Sequence, residues 1–124
     1  MPKPGKTGVT RIVNAFGYSM KGIVAAYKHE AAFRQEILLA IILIPASFFI
    51  TNKSIELALM IGSIMLVLIV EIINSAIEAV VDRMGDDIHE LAGRAKDMGS
   101  AAVLFALLNV AVIWGLILFE KYFS

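Results

Sequence analysis

The sequence predicts an all-α integral membrane protein: an N-terminal amphipathic surface helix followed by three transmembrane helices. Three observations predict it. Of 124 residues, 59% are hydrophobic and the mean hydropathy is +0.80, above the roughly 45–50% apolar usage of soluble domains. Three apolar blocks are separated by short polar stretches. Lys and Arg alternate in abundance between those stretches, as they do across membranes. At this length the chain is read as one domain, 1–124.

The surface helix covers about 9–28. Val9, Ile12, Val13, Phe16, Met20, Ile23, Val24 and Tyr27 recur at helical spacing, while Arg11, Asn14, Tyr18, Lys21 and Lys28 fall largely on the other side. Such a helix lies in the membrane interface. Gly17 and Gly22 weigh against its continuity. The first span is expected over about 31–50. Its apolar block "ILLAIILIPASFFI" (37–50) reaches only ~21 Å of the ~30 Å hydrocarbon core. The span therefore starts near Ala31, with Arg34 and Glu36 reaching toward headgroups, and Pro45 predicts a mild kink. The second and third spans are expected over about 57–81 and 98–119, joined by loops at "TNKS" (51–54) and 82–97.

Six Lys and Arg precede the first apolar block (Lys3, Lys6, Arg11, Lys21, Lys28, Arg34). Lys53 stands alone in the first loop, Arg83, Arg94 and Lys96 lie in the second, and Lys121 in the tail. The positive-inside rule puts the N-terminus and the second loop in the cytoplasm. "MPKPGKTG" is not followed by an apolar h-region, so no cleavable leader is expected. Eleven basic residues balance eleven acidic ones, which gives no bulk attraction for nucleic acid. Without cysteine, thiol and iron–sulfur chemistry is excluded.

The informative stretch is "VEIINSAIEAVVD" (70–82). At 100° per residue Glu71, Asn74, Ser75, Glu78 and Asp82 share an arc of about 100°. A carboxylate inside a bilayer costs at least ~2.5–3.5 kcal/mol, so such groups face protein or water and mark function; the bland alternative is a polar clamp between helices. Glu71 lies ~10 Å deeper than Glu78. The deeper, more desolvated acid suits a general base, and the shallower one suits a hard, hydrated cation such as Mg²⁺. Glu30, Lys96 and Asp97 are expected at the same mouth. Acids for a metal, a lysine for phosphate and a buried base are the parts of phosphoryl transfer. Soluble-kinase motifs are missing: "GKT" (5–7) lacks the preceding P-loop glycine, and neither His29-Glu30 nor His89-Glu90 extends to HExxH. Two non-enzymatic readings stand beside this one, a proton- or ion-conducting oligomer and a purely structural membrane subunit.

"EAAFRQE" (30–36), "VEIINSAIEAVVDR" (70–83) and "HELAGRAKDMGSAAV" (89–103) closely resemble the prokaryotic diacylglycerol kinase family, with matching spacing over nearly the whole chain. The resemblance implies transfer of the ATP γ-phosphoryl group to diacylglycerol, giving phosphatidic acid with Mg²⁺. It implies a homotrimer in the bacterial inner membrane with active sites shared between subunits. It assigns the general base to Glu71 and the metal to Glu30 and Glu78, which also meet ATP. Nucleotide contacts fall on Arg11, Tyr18, Asp87, His89, Lys96 and Asp97, support on Asn74 and Asp82, and lipid contact on Glu71, Ser100 and the region of Trp114. The chain departs from the family pattern at Met20, in "GDDIH" (85–89) and at Ala92. A sister group implies undecaprenol kinase as the alternative, against which "AFRQE" and "AKDMGSAAV" favour diacylglycerol. Small residues at Ser75, Ala79, Ala102 and Ala106 offer faces for oligomer packing.

Overall fold

Four helices follow one another in the computed structural model, which describes residues 7–84 and 90–124. They are α1 (Gly8–His29), α2 (Ala31–Ile50), α3 (Ser54–Arg83) and α4 (Glu90–Phe123). No strand is present among the described residues. The last three are long and apolar enough to cross a membrane. Only 17%, 28% and 17% of their most apolar windows are buried by the chain itself, so most of their surface faces outward.

The break between α1 and α2 is a single residue. Glu30 is extended (φ −121°, ψ 108°); its N–H closes α1 on Ala26 O at 2.9 Å and its carbonyl opens α2 by accepting Arg34 N–H at 3.2 Å. Arg34, expected near the headgroups, is exposed and caps the preceding helix. Its guanidinium donates to Tyr27 O (2.7 Å) and Lys28 O (3.2 Å), satisfying carbonyls that the end of α1 leaves open. Lys28 and His29 in that last turn further suit the negative pole of the helix. α1 runs unbroken through Gly17 and Gly22, and its apolar side points away from the bundle, with Val9, Ile12 and Phe16 well exposed.

α2 continues through Pro45 to Ile50, with the Ser47 hydroxyl donating to Ile44 O at 2.6 Å. α3 is the central element, packed against α2 and α4 along one stripe: Met60, Ser63, Ile64, Val67, Glu71 and Asn74. The stripe advances by three and four residues, the period that keeps side chains on one helix face. Its far half forms the core: Met60 and Ile64 pack with Ala40, Trp114 and Ile117. There Trp114 Nε1 donates to Met60 O (3.2 Å) and to Ser63 Oγ (3.3 Å). Beyond it, Glu56 accepts from the Thr51 hydroxyl (2.5 Å) and pairs with Lys121 (3.2 Å), tying the α2–α3 turn to the end of α4.

One expected loop is largely helix. α3 extends to Arg83 and α4 already begins at Glu90, so residues 90–97 are a polar helical extension rather than a connection. Glu90 sits in the first turn, where an acid favours the helix dipole, and forms an i,i+4 ion pair with Arg94 (3.7 Å).

Candidate active site

The near half of the α3 stripe opens into a cleft of about 410 Å³ lined by Glu30, Ala31, Ala32, Glu71, Asn74, Glu78, Ser100 and Val103. Three elements supply the polar groups. The Glu30 break delivers its carboxylate from between α1 and α2, α3 supplies Glu71, Asn74 and Glu78, and α4 supplies Ser100. Burial is graded along α3: Glu71 is 4% exposed, Asn74 is buried, Glu78 is half-buried and Asp82 is exposed. At the open end Lys96 Nζ holds Asp82 Oδ1 at 2.7 Å, joining α4 to α3.

The charges of Glu30 and Glu78 act on Glu71, and among the described residues no basic side chain lines the cleft. Such a like-charge set favours a cation. Among the described residues, no three His, Cys, Asp or Glu gather closely enough to enclose a metal by themselves. Hard carboxylate oxygens from Glu30 and Glu78 fit Mg²⁺, which is commonly held by one or two carboxylates while phosphate and water complete its shell.

Glu36 is a correction. Expected at the headgroups, it is buried with Oε2 unpartnered among the described residues, and its charge meets that of Glu71. The reason is periodicity: Phe33, Glu36 and Ala40 share the buried face of α2. That 3–4 spacing was the available signal.

The remaining residues divide. Asp97 is exposed on α4 near Lys96. Arg11 and Tyr18 lie on α1, 19 and 12 residues before Glu30, about 28 and 18 Å along the helix. One chain therefore does not bring them to the cleft; Lys21 Nζ stands 5.9 Å over the Tyr18 ring. Trp114 is in the far core described above, 14 residues or about 21 Å along α4 from Ser100. Asp87 and His89 lie outside the described residues.

Residues 17–118 match the sequence pattern of prokaryotic diacylglycerol kinase. A diacylglycerol kinase of Haemophilus influenzae is 53% identical over 113 residues, 91% of this chain and 96% of its own. One of Escherichia coli is 52% identical over 116 residues, covering 94% and 95%. A more distant one, of Helicobacter pylori, is 40% identical over 121 residues, covering 98% and 94%.

Proposed function

The chain belongs to the prokaryotic diacylglycerol kinase family, and we propose that it performs phosphoryl transfer from ATP in the cleft of Glu30, Glu71, Asn74, Glu78 and Ser100. A multi-pass membrane enzyme of this kind holds the lipid hydroxyl at headgroup level and meets the nucleotide at the water-facing end. Glu71, at the closed end of the burial gradient, takes the hydroxyl proton. The lipid oxygen bonds to the γ-phosphorus as the bond to the bridging oxygen breaks, leaving phosphatidic acid and ADP. Lys96 orients phosphate at the mouth, and the Ser100 hydroxyl meets the lipid. Glu30 and Glu78 would hold Mg²⁺, which when bound neutralises charge on the phosphates. The observation that carries this reading is the cleft in which a buried acid and a half-buried acid share one helix face beside Ser100.

The N-terminus and the α3–α4 connection lie on the cytoplasmic side of a bacterial inner membrane, supported by the distribution of Lys and Arg. A homotrimer with shared sites is supported by three features. Arg11 and Tyr18 are remote from the cleft of their own chain, Ser75 Oγ is buried without a partner among the described residues, and Ala79 and Ala102 remain exposed. Nucleotide contacts from Arg11, Tyr18, Asp87, His89, Lys96 and Asp97 belong to that assembly, as does lipid contact near Trp114.

The test is ATP-dependent labelling of dioleoylglycerol and undecaprenol side by side by the purified protein in detergent, with and without Mg²⁺. Labelled phosphatidic acid that disappears on chelation is expected. Preferential labelling of undecaprenol would overturn the substrate, and undiminished labelling by Glu71→Gln would remove Glu71 as the base.

A further inference from the structure

Asn74 stands between Glu71 and Glu78 on α3, one turn from each, and is only 8% exposed. Its Oδ1 has no hydrogen-bond partner among the described residues. What it meets is Gly99 of α4. A Cβ added to Gly99 would overlap Asn74 Oδ1, and would stand 3.2 Å from Cγ and 3.9 Å from the Asn74 Cβ. The other described glycines, Gly8, Gly17, Gly22, Gly62, Gly93 and Gly115, have nothing within 4 Å of the same position. Gly99 does not have a positive φ, so its backbone does not require glycine. Its lack of a side chain is used for space.

We propose that Gly99 is a positioning residue for phosphoryl transfer: its bare Cα seats the Asn74 carboxamide against α4, so that the amide donors face the carboxylates of the cleft. The hydrogen that replaces a Cβ faces Oδ1 as a weak C–H donor. An amide has one acceptor and two donors. With the acceptor seated on Gly99, the N–H₂ end is left for Glu71, Glu78 or a phosphate oxygen. A methyl group at 99 turns the amide away while leaving α4 helical. This inference rests on the reading of Glu71 as the base and Glu78 as a cation ligand.

A double-mutant cycle over Gly99→Ala and Asn74→Ala tests it. With Asn74 in place, Gly99→Ala is expected to lower kcat roughly 10²-fold, the scale of a misplacement near 1 Å, with KM for ATP little changed. In the Asn74→Ala background it is expected to cost nothing further. The thermal midpoint of the same four proteins is an independent readout. Gly99→Ala should lower it beside Asn74 and raise it in the Asn74→Ala background, where alanine at 99 is simply the better helix former. Gly93→Ala, on the same helix with nothing within 4 Å, should leave kcat unchanged. Equal losses in both backgrounds, or a Gly99→Ala protein that fails to assemble with either residue at position 74, would overturn the proposal. A Gly99→Ala protein that assembles only when combined with Asn74→Ala would support it. Activity retained in Glu71→Gln would sink the base assignment while leaving the cycle readable.

Discussion

The two ends of the α3–α4 interface satisfy their polar groups on opposite terms. Around Trp114 the indole N–H has two acceptors, Ser63 donates to Met60 O at 2.8 Å, and Glu56 is held by Thr51 and Lys121. Around Glu71, Asn74 Oδ1 and Ser75 Oγ are buried without partners among the described residues, as is Glu36 Oε2 across the interface on α2. Each unpartnered buried group costs about 1–3 kcal/mol. The same helix pair thus builds a scaffold at one end and keeps open valences at the other.

Neutralising the deepest acid should separate the two ends most sharply. Glu71→Gln is nearly isosteric and removes a charge from a residue 4% exposed. Turnover should fall about 10²–10⁴-fold, the usual contribution of a general base, while the thermal midpoint stays level or rises. A matched loss of stability and activity would make Glu71 part of the scaffold. Next in size, Lys96→Met should lower kcat/KM for ATP about tenfold or more, as expected for one lost phosphate contact. KM for the lipid should not follow. A change confined to the lipid would break the division of the cleft into a water-facing nucleotide end and a deeper lipid end.

Much of this was legible in the sequence because hydropathy and helical period act locally. Residues 31–50 read as a span and form α2. Glu71, Asn74 and Glu78 share a face wherever α3 lies, so one cleft could be expected from spacing alone. Three things were not legible. The burial of Glu36 was hidden because a carboxylate five residues into a span reads as a boundary charge, and only the 33–36–40 period turns it inward. The helix over 90–97 was hidden because polar residues outside the membrane lose the hydropathy signal while keeping helix propensity. The Gly99–Asn74 contact is long-range, and no local rule brings position 74 to position 99.

At the scaffold end, Met60→Ala should be costly to the fold and harmless to the chemistry. Met60 is fully buried in the far core. Truncation there costs about 2–5 kcal/mol where the cavity does not collapse. Thermal unfolding in detergent should move down accordingly, while kcat per folded enzyme stays at the wild-type value. A lower kcat with an unchanged midpoint would mean that the far core communicates with the cleft, and the contrast between the ends would lose its meaning.

The smallest effect is the most discriminating, because one substitution can be made at both ends of α3. Ser63 and Ser75 are twelve residues apart on the same helix. Ser63 Oγ donates to Met60 O and accepts from Trp114, whereas Ser75 Oγ is buried and unpartnered among the described residues. Ser63→Ala removes a partnered hydroxyl and should lower stability by about 0.5–1.5 kcal/mol. It should fall toward the low end of that range, since Met60 O still accepts the indole N–H. Ser75→Ala removes a hydroxyl whose desolvation is uncompensated within the chain, and in the dissociated protein should leave the midpoint unchanged or raise it. Opposite signs from the same chemical change would fix the contrast to hydrogen-bond satisfaction rather than to depth or side-chain size. Equal losses at both positions would mean that Ser75 finds its partner outside its own chain. Measuring Ser75→Ala in the assembled and the dissociated protein then tells whether a neighbouring subunit supplies it: the loss should vanish on dissociation.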